Sequence, residues 1–240
     1  MKKKTLTLTL LFILALSSLA EDKSHSQNFR FDFLGGEAYS TAKGTETNNT
    51  DPNSQRFIDF TNKLRWMKNL QASLHYHISS YSYLGMKYHF FYSSASMSDY
   101  QFYSTDNYGN TIISIGNVKE KRYVNYIGPS YLYEKSLDQQ KKWLFSSSVT
   151  IGYTSYREED SVILNRLLAT SNSFGVGYDL GVNYCLNKSI FIGVKTGLFT
   201  SRFSKIKTSN GSTTQTTKLD SKDAINLTNV NLSIGLSYHF

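Results

Sequence analysis

The stretch Phe174-Gly175-Val176-Gly177-Tyr178-Asp179-Leu180-Gly181-Val182-Asn183-Tyr184-Cys185-Leu186 alternates without a break. Its even positions are apolar or aromatic, and its odd positions are glycine, polar or small. Side chains on a β-strand point alternately to opposite faces, so this pattern reads as a long strand with one oily and one polar face. Six further segments share the period: 29–33 with Arg30 and Asp32 on the polar phase, 70–78, 84–92, 127–134, 190–198 and 230–240. Trp143, Phe145, Val149, Ile151 and Tyr153 share one face of another segment. The count is eight strands, with Gly35-Gly36 expected to form a bulge that resets the phase of the first.

Alternation alone also suits a soluble sandwich. Three features favour a membrane barrel instead. The segments run to about 10–16 residues where soluble strands average about 5 or 6. The polar phase is rich in glycine and carries isolated charges such as Lys87, Asp179 and Lys195, as the narrow interior of a small barrel requires. Aromatic residues mark both ends of the oily rows: Phe29, Tyr133, Trp143, Tyr184 and Tyr238 at one end, Tyr92 and Tyr153 at the other. Rings with a polar tip favour the headgroup level.

Short and long connections alternate. Residues 79–82, 136–141 and 187–189 read as short turns, and 42–68, 99–120, 157–172 and 204–225 as long loops. The fold class is therefore all-β: a closed, antiparallel, up-and-down transmembrane β-barrel of eight strands with short periplasmic turns and long extracellular loops. Whether 42–68 adds two strands is left open.

The first twenty residues read differently. Lys2, Lys3 and Lys4 precede an apolar run from Leu6 to Leu16, followed by Ser17, Ser18 and Ala20. That is the pattern of a secretory signal peptide, residues 1–20, cleaved after Ala20, with the barrel domain over 21–240. The run is too short for a spanning helix, which needs about 20 apolar residues. With those lysines gone, 23 basic residues face 18 acidic ones, a net charge of +5. No dense basic run remains, so nucleic acid is not an expected partner. Cys185 is the one cysteine, which excludes an internal disulfide.

The mature chain resembles the small outer-membrane β-barrels of the OmpA/OmpX-like family. The sharpest element is the ending Leu236-Ser237-Tyr238-His239-Phe240, similar to the signal read by the barrel-assembly machinery. The resemblance implies a Gram-negative outer membrane, contact with its lipid and lipopolysaccharide, and a monomer assembled by that machinery. It implies no single role.

Within the lumen an Asp179–Lys195 ion pair is expected across one hairpin, and His75 is expected to face Lys87 across another. His75, His77, His89 and His239 point inward by phase, read as packing rather than as metal ligands. No cofactor is expected and no catalytic cluster is found. Apolar residues in the long connections, Phe57, Phe60, Trp66, Leu164 and Leu167, are candidates for contact with an extracellular partner. They equally suit strand extensions, a short helix or a cap over the mouth. The expected function is a non-enzymatic structural or surface-interaction barrel. The alternatives are a narrow, low-conductance pore and, third, an outer-membrane enzyme acting on lipid.

Overall fold

A computed structural model describes residues 28–41, 52–105, 108–162, 165–220 and 224–240. The expected leader (1–20), its cleavage point and Leu164 lie outside the described residues. The elements in chain order are β1 (Phe29–Ser40), α1 (Pro52–Arg65), β2 (Trp66–Ser79), β3 (Ser82–Thr105), β4 (Thr111–Ser136), β5 (Trp143–Val162), β6 (Asn165–Cys185), β7 (Ile190–Phe203), β8 (Lys205–Ser209), β9 (Thr214–Lys218) and β10 (Ile225–His239).

Eight strands close into a ring in the order β1-β2-β3-β4-β5-β6-β7-β10, every pair antiparallel. The seam joins the first strand to the last: Phe31 stands opposite Tyr238 and Phe33 opposite Leu236. Phe29 and Phe240 exchange backbone hydrogen bonds of 2.8 and 2.9 Å. The Phe240 ring stacks on Phe29 at 5.5 Å and on Tyr238 at 5.4 Å. No edge is left over the ring, which is what hydrocarbon demands of a sheet.

The exposure pattern is inverted relative to a soluble protein. Leu74, Leu84, Met86, Ile127, Ile151, Val194, Leu198, Leu232 and Ile234 are exposed on the outer face. Arg30 and Asp32 are 0% exposed inside. A water-soluble core would reverse both, so the outer surface is built for lipid. Aromatic pairs rim the band: Phe29–Tyr76, Trp143–Tyr184 and Tyr81–Tyr133 at the short-turn end, Tyr39–Trp66 and Tyr92–Tyr123 at the other. On β2 the rim residues Trp66 and Tyr76 are ten residues apart, within the roughly 9–11 residues a tilted strand uses to cross.

The turns at the near end are short for stated reasons. Asp138 accepts hydrogen bonds from the amides of Trp143 (2.9 Å) and Lys142 (3.2 Å). Asn187 does the same for Ser189 (2.9 Å) and Ile190 (2.8 Å). Asp and Asn side chains of this kind stand in for backbone in tight turns.

The far end departs from expectation. Most of the sequence read as long loops is strand. β3 and β4 run 24 and 26 residues, and β5 and β6 run 20 and 21. They rise beyond the rim as a wall, joined by the β8–β9 hairpin, which pairs with β6 through Leu168–Ser209 and Thr170–Lys207. Of the segment 42–68 the described part, 52–68, adds no strand pair of its own. It contains α1, and Trp66 and Met67 already belong to β2. Pro52 takes the first helical position, and Phe57, Phe60 and Leu64 form its apolar stripe. Phe60 and Leu64 bury against Ala95 and Met97 on the lumen side of the wall. Arg65 fastens the helix end to the rim, donating to the Ser40 carbonyl (3.0 Å) and lying 4.6 Å over the Tyr39 ring.

The expected bulge at Gly35-Gly36 is absent. β1 keeps one register with both neighbours through that point. The register shifts fall between His77 and Ser79 and between Met97 and Tyr100, while β4 keeps one register with β5 but drops two pairs at Gly128-Pro129. At the last, Pro129 has no amide to give the ladder. A Cβ on Gly152 would lie 2.2 Å from the Ile127 carbonyl oxygen and 2.7 Å from the Gly128 Cα. Gly152→Val is therefore expected to lower barrel stability by about 1–3 kcal/mol, read as an earlier urea midpoint by circular dichroism in detergent micelles. A variant as stable as the wild type would refute the close approach.

Candidate functional site

The lumen holds the densest chemistry. Arg30 and Asp32 lie two apart on β1 and so share its inner face. Asp32 Oδ1 accepts from Arg30 Nε (2.8 Å), and Oδ2 accepts from Lys195 Nζ (2.7 Å) and Ser73 Oγ (3.1 Å). Arg30 also pairs with Glu134. On the facing side Lys87 Nζ donates to Asp179 Oδ2 (2.5 Å), and Ser148 Oγ adds a bond of 2.9 Å to the same oxygen. Three cations thus meet three carboxylates, all six buried. Buried charge is tolerated only when paired, and this lumen balances to zero.

Polar residues fill the gaps. Gln71 bridges Asn231 and Ser233 at 3.1 Å each, and Thr150 donates to Ser130 at 3.0 Å. Glycines on β6 and β7 make the room: a Cβ on Gly197 would lie 2.4 Å from Asp179 Oδ1, and one on Gly181 2.7 Å from Lys195 Cγ.

Lys87, Asp179, Lys195 and His75 are all lumenal, but their pairing differs from expectation. Lys195 reaches Asp32 instead of Asp179, and Asp179 takes Lys87. His75 stands opposite Gly85, while Ser73 stands opposite Lys87. The irregularity after His77 sets that register. The His75 ring nitrogen contacts Ser130 Oγ at 3.2 Å, the length of a nucleophile–base pair. Both groups are 1–2% exposed, so this contact belongs to the packing of the plug. His89 and His239 are buried too, and His77 is half-buried.

Above this polar floor the interior changes character. Phe91, Tyr126, Tyr156, Phe199 and Phe203 form a buried layer with Ala38, Met67, Val124 and Leu227. The rings touch: Tyr126–Phe199 at 4.8 Å and Phe91–Phe199 at 5.4 Å. The expected glycine-rich, polar interior thus holds for the floor and gives way here to an aromatic layer. The signal was present, since Phe91 follows Lys87 and His89 on the inward phase.

Higher still, on the inner face of the wall, Glu120 stands opposite Asp160 and Arg122 opposite Glu158. Arg122 pairs with Glu120 (2.5 Å) and Glu158 (3.5 Å). Among the described residues this is the one group of three carboxylates close enough, within 4.8 Å, to share a cation, and Arg122 supplies the countercharge. Burial pushes the Glu158 carboxyl up to about 7, with Arg122 opposing and Glu120 and Asp160 adding to the rise. Glu120 and Asp160 are raised as well, again by burial first.

The contact candidates separate. Phe60 is buried against the wall, with Phe57 at its margin. Trp66, 59% exposed, stands in the rim against Tyr39. Leu167 is exposed at the start of β6. Leu236, Tyr238 and Phe240 lie along the seam. Cys185 is free and half-buried, its Sγ 2.9 Å from the Asn187 carbonyl.

Asp32→Ala leaves Lys195 buried without a carboxylate and Arg30 with Glu134 alone, so a loss of about 3–5 kcal/mol is expected in urea unfolding. An unchanged midpoint would contradict the network. For Glu158 the folded state holds its proton more tightly than the unfolded one. Stability of the wall therefore falls as pH rises from about 4.5 through about 7. Hydrogen exchange, corrected for intrinsic rates, should show residues 118–122 and 158–162 better protected at pH 5 than at pH 8. Equal protection would remove the raised carboxyl.

No protein-family model matches the chain, and no curated protein sequence matches it. Solved structures do. A major outer membrane protein from Thermus thermophilus aligns at TM-score 0.50 and 12% identity, over 88% of this chain and 99% of that one. The outer membrane protease OmpT from Escherichia coli aligns at TM-score 0.46 and 12% identity, over 92% and 99%. OprG from Pseudomonas aeruginosa aligns at 0.47 and 12%, over 91% and 99%. At 12% identity the likeness to the Thermus thermophilus protein concerns the fold alone, and the ring, rim and inverted exposure described above agree with it. In fold, the chain is a small eight-stranded outer-membrane β-barrel.

Proposed function

We propose that this chain is a non-enzymatic barrel of a bacterial outer membrane with a closed lumen, which acts through its extracellular wall on a partner outside the cell. The carrying observation is the aromatic layer stacked on a charge-balanced floor. Phe91, Val124 and Phe203 are 0% exposed where a channel would need water. A conducting path would have to displace these rings and break paired charges, so the pore reading is the weaker one.

The wall supports the second half of the proposal. Its strands reach far past the length a membrane requires. At the β3–β4 tip Tyr103, Ile112, Ile113 and Ile115 are exposed, and Tyr108 is 90% exposed. Apolar side chains held on a hairpin clear of the membrane suit contact with another macromolecule. An enzyme acting on lipid would need a nucleophile, a base and an orienting group within reach of substrate. The Ser130–His75 contact is sealed inside the floor and does not meet that need.

Planar-bilayer recording of the purified mature chain tests the closed lumen. No reproducible conductance steps are expected, and regular steps would overturn the reading. An epitope inserted at Gly109, in the β3–β4 tip, should be reached by antibody on intact cells, and one at Ser80 should not. The reverse result would turn the molecule over.

A further inference from the structure

The outer face of the wall carries cations immediately above the rim. Cross-strand partners share a face, so the rows can be read from the register. Tyr123, Arg157, Thr170 and Lys207 make the first row; Lys121, Glu159, Leu168 and Ser209 the second; Lys119, Ser161 and Arg166 the third. These residues continue the phase of Ile127 and Tyr153, which face lipid. Five cations stand there against one carboxylate, Glu159, and that one is taken by Arg157 at 2.5 Å. Among the described residues no carboxylate pairs with Lys119, Lys121, Arg166 or Lys207. Together with the turn Ser209-Asn210-Gly211, four of the cations (Lys119, Lys121, Arg157 and Arg166) line a cleft of about 650 Å³, against two carboxylates, Glu159 and, from the inner phase, Asp160.

From this arrangement we propose that the cleft binds the phosphate groups of lipid headgroups in the leaflet around the barrel. The proposal deepens the function given above and rests on its outer-membrane placement. Height and direction argue for a lipid source. By phase its four cations lie on the lipid-facing side of the wall, and one of them, Arg157, stands opposite Tyr123, whose ring packs with Tyr92 in the rim. Long basic side chains at that level lay their stems on apolar surface and put their charges at the phosphate plane. The hairpin tip gives the cleft a far wall, which a plain basic strand surface would lack. The inner face of the same wall has the opposite character, with Glu120, Glu158 and Asp160 around Arg122. The basic side thus points to lipid and the acidic side to the mouth.

The test uses the full mature chain in lipid nanodiscs containing either bisphosphorylated lipid A or lipid A stripped of both phosphates. After mild delipidation, native mass spectrometry counts the lipid retained. Wild type should retain the phosphorylated form roughly tenfold or more over the stripped form, with the preference falling as sodium chloride is raised. K119Q/K121Q/R166Q should lose that preference while keeping the β-sheet circular dichroism of the wild type. K141Q/K142Q, at the opposite end, should keep it. Equal retention of the two lipids, or a triple variant indistinguishable from wild type, would overturn the proposal. Displacement of lipid A by millimolar inorganic pyrophosphate would replace the lipid source by a soluble anion and overturn it too. A chain that fails to enter the nanodiscs at all would instead remove the membrane placement beneath it.

Discussion

A backbone amide cannot go unpaired in hydrocarbon. Everything else in this molecule follows from that constraint. The sheet must close, and it does so by bringing Phe29 and Phe240 together at the seam. Closure turns one face of every strand inward to a narrow space and the other outward to lipid. Residues that would form a core elsewhere, such as Leu74, Ile151 and Leu232, therefore form the surface.

The same closure creates the difficulty the lumen solves. Charges turned inward lose water, and each then needs a partner. Asp32 serves two cations, Arg30 serves two carboxylates, and Lys87 and Asp179 serve each other. Glycines on β6 and β7 yield the volume these side chains occupy. The aromatic layer above removes the need for further pairing by removing charge. Floor and ceiling together leave the interior filled.

The sequence was most legible where the two sides of a strand meet different solvents. Phe174 to Leu186 alternates because lipid lies on one side and a packed lumen on the other, and the eight barrel strands follow from that contrast. Legibility fails above the rim. Lys119-Glu120-Lys121-Arg122 and Arg157-Glu158-Glu159-Asp160 are charged on both phases because no hydrocarbon lies on either side. They read as loops, yet the ladder continues through them. The apolar stripe of α1 was visible as a cluster of hydrophobic residues. Its burial against Ala95 and Met97 was not, since that depends on where the wall stands.

Phase and end markers in the chain thus determined by themselves that the protein is an eight-stranded barrel, which residues face inward, and where the rims lie. These are consequences of local alternation, and neighbours two residues apart suffice to read them. Which inward charge meets which was decided only by the tertiary structure. Lys195 reaches Asp32 on β1, and Lys87 reaches Asp179 on β6, because ring closure brings strands distant in sequence across one narrow lumen. The basic outer row and acidic inner cluster of the wall likewise exist only once register has aligned β4, β5, β6 and β8.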